Sequence, residues 1–225
     1  MMHQMMMRVV VPLCALAGIA SAAPKPPCKG CTLEAPASSD PVPLLVVLHG
    51  DREHAANAAA RWRSVTKQRG WALLAIECPK ARGCKDSFWQ WDGDPSWILD
   101  QVSTVAKQIK VDPQQVFLAG WSGGATYIGW HVQAWPGTFA AVVVHGGGAA
   151  PSDRTCVDLP AYFLVGDKNP LHYLARQLHE YFDDCKQTVM WDLISGADHA
   201  KEASALTKKK ALEILSWLAS HARRS

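Results

Sequence analysis

Residues 116–124 read Val-Phe-Leu-Ala-Gly-Trp-Ser-Gly-Gly, an apolar run of strand length that passes directly into a turn of small residues. Gly120 and Gly124 flank Ser122 at two residues on each side, so neighbouring backbone can approach the serine without a Cβ clash. The pattern predicts a sharp strand-to-helix turn that exposes Ser122, the arrangement of a nucleophile elbow. The alternative is a glycine-rich turn in which the serine only caps a helix.

Short apolar runs alternate with stretches of helical period on both sides of this turn. Such alternation predicts a mostly parallel sheet that helices cover on both faces. The predicted strands are 44–49, 71–76, 115–120, 140–145, 162–166 and 188–194. The predicted helices are 55–69, 96–109, 123–134, 171–182 and 203–219.

Composition favours one exported domain. The 225 residues are 48% hydrophobic and 19% charged, which is enough apolar material for a single large core. The formal net charge is only +3 and the basic residues form no stripe, so nucleic acid is not expected as a partner. Residues 1–22 have the pattern of a signal peptide, too short and too interrupted by Pro12 for stable membrane insertion. We therefore expect a secreted or periplasmic protein with an irregular leader at 23–41 and a folded domain at 42–225.

Cysteine usage agrees with export. Of the 7 cysteines, Cys14 lies in the predicted signal peptide, which leaves 7 − 1 = 6 in the mature chain. An even set in an oxidising compartment predicts disulfides. Short separations favour the pairs Cys28–Cys31, Cys78–Cys84 and Cys156–Cys185. Redox and zinc interpretations of Cys28-Lys29-Gly30-Cys31 are weaker, because no strand precedes this motif and no second ligand pair stands at suitable spacing. No metal or cofactor is expected.

A serine nucleophile needs a base and a group that orients the base. In this type of fold the acid and then the histidine follow the serine along the chain. Asp167 ends a predicted strand, and His199 lies between the last strand and the last helix. The sequence therefore predicts a Ser122, Asp167, His199 triad. Asp192 and Asp198 are competing acids, and a helix-capping role for Asp167 or a surface role for His199 is the alternative.

Backbone N–H groups would stabilise the oxyanion of an acyl transfer. Gly123 directly follows the nucleophile, and Asp51 follows the first predicted strand, so their N–H groups are the predicted donors. A separate set of residues falls near the same strand ends and could line a pocket: His49, Gly50, His54, Trp121 and His145. Among the 10 tryptophans, Trp89, Trp91 and Trp135 are further candidates for pocket walls, although core packing is the more frequent role.

Four motifs occur in a fixed order: Leu48-His49-Gly50-Asp51, Gly120-Trp121-Ser122-Gly123-Gly124, Gly166-Asp167 and Gly196-Ala197-Asp198-His199. Together they resemble secreted esterases of the polyhydroxybutyrate depolymerase and feruloyl esterase type, and the wider dienelactone hydrolase and carboxylesterase group. The resemblance implies an α/β-hydrolase three-layer sandwich with a mostly parallel central sheet. It also implies a metal-free acyl-enzyme mechanism on a small or polymer-derived ester.

The chain departs from the depolymerase pattern directly after His199. It continues Ala200-Lys201-Glu202 where those enzymes often have Trp-Pro, which puts polymer binding in doubt. Two other interpretations stay open at this point. One is a serine peptidase or acyltransferase on the same fold, because a triad does not by itself select the substrate. The other is a non-catalytic exported binding protein. The sequence does not decide the oligomeric state.

Overall fold

Strands of uninterrupted apolar residues form the centre of the molecule. In this computed structural model residues 23–89 and 94–223 are described; the predicted signal peptide and Trp91 lie outside them. The sheet has seven strands in the order β1-β3-β2-β4-β5-β6-β7, and β1 alone runs antiparallel to its neighbour. The strands are β1 Thr32–Glu34, β2 Val42–Leu48, β3 Ala72–Ile76, β4 Val111–Trp121, β5 Ala141–His145, β6 Ala161–Gly166 and β7 Val189–Ile194.

Helices cover both faces of the sheet. They are α1 Ala55–Arg69, α2 Ser96–Ala106, α3 Gly123–Trp130, α4 His172–Asp184, α5 His199–Ala205 and α6 Lys208–Ser220, with short 3-10 turns at Lys80–Arg82 and Val132–Ala134. Within the described ranges, no helix combines the length and the apolar character that crossing a membrane requires.

Alternation along β2 shows how the two hydrophobic cores are divided. Leu44, Val46 and Leu48 pack with α2, α3 and α4 on one face. Leu45 and Val47 pack with α1 and α6 on the other face. Burying one such aliphatic side chain contributes about 1.5–3 kcal/mol, so a strand apolar on both faces is stable only between two helical layers. The predicted three-layer α/β sandwich is confirmed.

The leader contributes more structure than the sequence suggested. Residues 23–41 were expected to be irregular, but Thr32–Glu34 pairs with β3, with Leu33 opposite Leu74. Lys25 N–H also donates to the side chain of Gln108 at 2.8 Å. A three-residue edge strand is too short to show a period of two, which explains why it was missed.

The predicted helix 203–219 is in fact two helices, and this difference changes the site. Asp198 is the N-cap of α5, and its side chain accepts a hydrogen bond from Lys201 N at 2.9 Å. His199 is therefore the first residue of a helix and not part of a loop. Thr207 caps α6 in the same way, by accepting from Lys210 N.

Three disulfides join the pairs that short sequence separation favoured. Cys28–Cys31 precedes β1, Cys78–Cys84 closes the loop that follows β3, and Cys156–Cys185 ties the β5–β6 connection to the end of α4. The second of these bonds lies beside the loop that follows β2, which belongs to the site.

Candidate active site

Parallel pairing brings the carboxyl ends of the central strands to one edge of the sheet. Trp121, the last residue of β4, pairs with His145 of β5. The turn at Ser122 and the loops after β2, β5, β6 and β7 therefore meet at this edge, where ligands bind in open α/β sheets.

The turn at Ser122 has the backbone of a nucleophile elbow. Ser122 has φ 51° and ψ −114°, a positive φ that costs a non-glycine residue on the order of 1 kcal/mol or more. Its N–H donates to the carbonyl of His145 at 2.9 Å, which holds the turn against β5. An added Cβ at Gly120 would lie 2.6 Å from the backbone of Gly124, and one at Gly124 would lie 2.6 Å from the carbonyl oxygen of His49. Both glycines of the motif are thus required by close packing.

Ser122 and His199 meet as the sequence predicted. Ser122 Oγ lies 2.9 Å from His199 Nε2, across 77 positions of sequence. Because His199 opens α5 directly after the loop that follows β7, its ring reaches back over the end of β4.

The carboxylate beside His199 is Glu202. Its Oε2 lies 2.9 Å from His199 Nδ1, three residues along the same helix, and the side chain is only 1% exposed. Residues at i and i+3 share a helix face, so α5 presents both groups to the site. Glu202 Oε1 also accepts a hydrogen bond from Gly166 N at 2.6 Å, which anchors the carboxylate to the end of β6.

The prediction that Asp167 is this acid is wrong. Asp167 Oδ1 instead accepts a hydrogen bond from Gly196 N at 2.7 Å, and so joins the loop after β6 to the turn after β7. The competing acids lie elsewhere too: Asp198 caps α5, and Asp192 binds Tyr162 and Lys210. Asp198 as an N-cap, followed by a histidine and a glutamate three residues apart, was the available signal for Glu202.

Asn169 is a second residue that the sequence analysis did not place in the site. This residue is 8% exposed, and its Nδ2 lies 2.7 Å from Glu202 Oε2 and 3.2 Å from His199 Nδ1. Its Oδ1 accepts a hydrogen bond from Leu171 N at 2.9 Å, directly before the start of α4.

The turn after β2 carries the predicted oxyanion donor Asp51. Gly50 N donates to Glu53 Oε2 at 3.1 Å, Arg52 N to the carbonyl of Ser87 at 3.3 Å, and Glu53 N to the carbonyl of Gly50 at 3.1 Å. The Asp51 side chain packs against Gly123, since an added Cβ at Gly123 would lie 2.0 Å from Asp51 Oδ1.

An ion pair stiffens the same turn. The two terminal guanidinium nitrogens of Arg61 donate to the Glu53 carboxylate, at 2.7 and 2.6 Å. Partial burial opposes ionisation of Glu53, but the hydrogen bonds and charge of Arg61 outweigh it and lower the pKa of the carboxyl group. Arg61 also lies over the Trp121 ring, 5.3 Å from its centroid. The ion pair therefore links the turn after β2 to the nucleophile elbow.

Two histidines that were predicted to line a pocket are instead buried, and their rings contact backbone groups of neighbouring segments. His145 is 2% exposed, its Nε2 lies 2.8 Å from the carbonyl oxygen of Glu202, and burial lowers its pKa to about 4. His49 is fully buried, and burial lowers its pKa as well. His49 Nδ1 lies 2.7 Å from the carbonyl oxygen of Gly50 and its Nε2 accepts from Cys78 N at 3.1 Å, so the ring joins the loops after β2 and β3.

The other pocket candidates divide into two groups. His54 caps α1 and its ring pairs with Glu77 at 2.7 Å, while Trp89 and Trp135 are fully buried and have no surface to offer a substrate. Trp121 and Gly50 do lie at the site. The indole stacks on the His199 ring, and an added Cβ at Gly50 would lie 2.6 Å from Trp121 Cδ1.

The sheet order, the flanking helices and the Ser122 elbow define an α/β-hydrolase. The sequence matches the family described as esterase PHB depolymerase over residues 30–159, and the chain belongs to that family. The prediction of an ester-hydrolysing serine hydrolase is confirmed at the level of the family. Comparison with curated proteins gives no significant match.

Solved structures with the same fold include a thermostable esterase, with a TM-score of 0.66, 18% identity and coverage of 86% of this chain. This chain spans 59% of the length of that esterase. A phospholipase/carboxylesterase from Dyadobacter fermentans has a TM-score of 0.61 at 14% identity, with 82% of this chain and 97% of that chain covered. Dienelactone hydrolase from Anabaena variabilis has a TM-score of 0.59 at 18% identity, with 86% and 92% covered. At these identities the likeness establishes the fold.

Proposed function

We propose that the protein hydrolyses carboxylic esters through a covalent acyl-enzyme on Ser122, with His199 as the base and Glu202 as the acid that orients it. One observation carries the proposal: a continuous line of contacts runs from Ser122 Oγ to His199 Nε2 at 2.9 Å and from His199 Nδ1 to the buried Glu202 carboxylate at 2.9 Å. A carboxylate on Nδ1 favours the tautomer whose Nε2 accepts a proton.

The arrangement supports a two-step acyl transfer. His199 Nε2 takes the Ser122 proton as Oγ attacks the carbonyl carbon, and the resulting imidazolium returns that proton to the departing alcohol. Water then attacks the acyl-enzyme, with His199 again taking a proton, and releases the acid and free Ser122. The two protein groups that exchange the proton in these steps, Ser122 Oγ and His199 Nε2, lie 2.9 Å apart.

The proposed oxyanion donors are the N–H groups of Gly123 and Asp51. The packing of the Asp51 side chain against Gly123 supports this, because it keeps the two loops together. The bonds that engage the N–H groups of Gly50, Arg52 and Glu53 support it further. Removing one such donor typically lowers kcat by about 100- to 1000-fold.

A substrate panel tests the function. Short-acyl, long-acyl and feruloyl esters, together with a peptide amide, would be assayed with the purified protein, with Ser122→Ala and with Ser103→Ala, whose serine is exposed on α2. We expect ester turnover that Ser122→Ala abolishes and Ser103→Ala retains, and a fluorophosphonate adduct on Ser122. Faster turnover of the peptide would assign a peptidase, and no adduct on the folded protein would favour a binding role.

We propose in addition that the protein acts after export, on a small or polymer-derived ester. The three disulfides support an oxidising location. Expression of the full chain in a bacterial host, with cell fractionation and N-terminal sequencing, tests this. A mature chain that begins at Ala23 outside the cytoplasm is expected. A cytoplasmic product that retains residues 1–22 would contradict it.

A further inference from the structure

We infer that Asn169 is the positioning residue for the acid of the active site, and that position 169 is a second place from which a carboxylate can orient His199. The inference rests on the proposed function. It assigns Asn169 a role in positioning Glu202, and it predicts that an aspartate at position 169 can orient His199 when Glu202 is replaced.

The hydrogen bonds fix which way the Asn169 amide points. Its Oδ1 accepts from Leu171 N at 2.9 Å, so Nδ2 is the atom that faces Glu202 Oε2 at 2.7 Å. If Nδ1 of His199 donates to Glu202, that nitrogen cannot also accept from Asn169. The Nδ2 hydrogens therefore serve Glu202 and, at 3.5 Å, the carbonyl of Gly146.

Asn169 stands at the strand end where the chain order of this fold leads one to expect the acid. It follows β6, as Asp167 does, but lies close to both members of the acid–base pair. Its 3.2 Å distance to His199 Nδ1 is within the reach of a carboxylate oxygen at the same atom position.

Exchanging the amide and the carboxylate preserves most of this network. When Asn169→Asp and Glu202→Gln are combined, the amide introduced on α5 can still accept from Gly166 N and can donate to the new carboxylate across the 2.7 Å contact. The aspartate can still accept from Leu171 N and can also accept from His199 Nδ1. The exchange moves the negative charge from α5 to the loop after β6 without adding or removing charge.

Other charged groups around His199 stay the same in this exchange. Two groups on neighbouring elements are the buried, neutral His145 of β5, which contacts the backbone of Glu202, and the Arg61 guanidinium of α1, which lies over Trp121. At the start of α5, the Asp198 carboxylate is held by the backbone N–H of Lys201. A change in pH profile can therefore be assigned to positions 169 and 202.

The test compares kcat, KM and pH profiles of Glu202→Gln, Asn169→Asp and the double variant. We expect Glu202→Gln to lower kcat on the order of 1000-fold, because the amide no longer selects the productive tautomer. The double variant should recover at least about tenfold of this loss. Asn169→Asp alone places a second carboxyl group 2.7 Å from Glu202 Oε2, so the two carboxyl groups share one proton, and loss of that proton should add an ionisation to the pH profile of kcat/KM that the parent lacks.

Two controls separate positioning from folding. The pair Glu202→Gln with Asn169→Ala should show no recovery, and Asp167→Asn should behave as the parent enzyme because Asn can still accept from Gly196 N. The inference would be overturned if kcat of Glu202→Gln recovered equally with alanine and with aspartate at position 169. A pH profile of Asn169→Asp identical to that of the parent would also overturn it. Retained activity in Ser122→Ala would instead overturn the proposed function, so the two failures are distinguishable.

Discussion

The Trp121 indole lies flat against the His199 imidazole, with the ring planes 5° apart and the centroids at 4.7 Å. Trp121 is the residue directly before Ser122, so the elbow holds both the nucleophile and the ring that supports the base. Gly146 makes room for the indole, since an added Cβ there would lie 2.3 Å from Trp121 Cζ3. The contact fixes the plane of His199 independently of Glu202.

Replacing Trp121 should therefore affect kcat more than KM. We expect Trp121→Leu to lower kcat roughly tenfold, because stacking on a forming imidazolium contributes about 0.5–2 kcal/mol. Trp121→Phe keeps an aromatic face and should retain most of the activity. Steady-state kinetics of both variants, with thermal melts to confirm folding, provide the check. An equal loss in the two variants would show that ring stacking is not the cause.

Gly123 is a position where a single methyl group should disable the site. An added Cβ would lie 2.0 Å from Asp51 Oδ1 and would push the turn after β2 away from the elbow. We expect Gly123→Ala to lower kcat by about 100-fold or more, as loss of an oxyanion donor does. Gly137→Ala is the matched control, because nothing lies within 4 Å of an added Cβ there. Full activity of Gly123→Ala would remove Asp51 from the proposed oxyanion hole.

Much of the fold could be predicted because its signals are local. The central strands are apolar on both faces, and α1 has the predicted bounds, with Gly70 ending it at φ 68°. Ser122 and His199 were predictable for a related reason, since parallel strands must place their carboxyl ends together. The short edge strand Thr32–Glu34 depends on pairing with β3, which no periodicity in the leader reveals.

The acid could not be placed by strand order alone. Asp167 and Glu202 are both carboxylates near the same edge, and which one reaches His199 depends on whether residues 199–205 form a helix. Asp198 decides this through its cap on Lys201. Asn169 could not be placed either, because its contact with Glu202 depends on where α5 lies against the loop after β6.

The Cys78–Cys84 disulfide should support activity more than global stability. The segment from Cys78 to Trp89, whose first part the disulfide closes, contacts the turn after β2 at three points: Cys78 N donates to His49, Ser87 accepts from Arg52 N, and Trp89 N donates to Asp51 at 3.1 Å. We expect Cys78→Ser with Cys84→Ser to lower kcat several-fold through movement of Asp51. Cys28→Ser with Cys31→Ser is the matched control and should leave kcat unchanged. Equal kinetics for the two double variants would contradict this role.

His145 should make the folded state sensitive to acid. Burial lowers its pKa from 6.5 to about 4, so between these values the unfolded chain binds a proton that the folded chain does not. The free energy of unfolding should therefore fall as pH drops through this window, by at most about 3 kcal/mol from this residue.

His145→Gln can still donate to the Glu202 carbonyl but does not titrate. Urea unfolding at pH 7 and pH 4.5 should show a smaller difference for the variant than for the parent. Because the pKa of His49 is also lowered, the contribution of His145 is the difference between the pH dependence of the parent and that of His145→Gln. The same pH dependence in both proteins would show that His145 is not the group responsible.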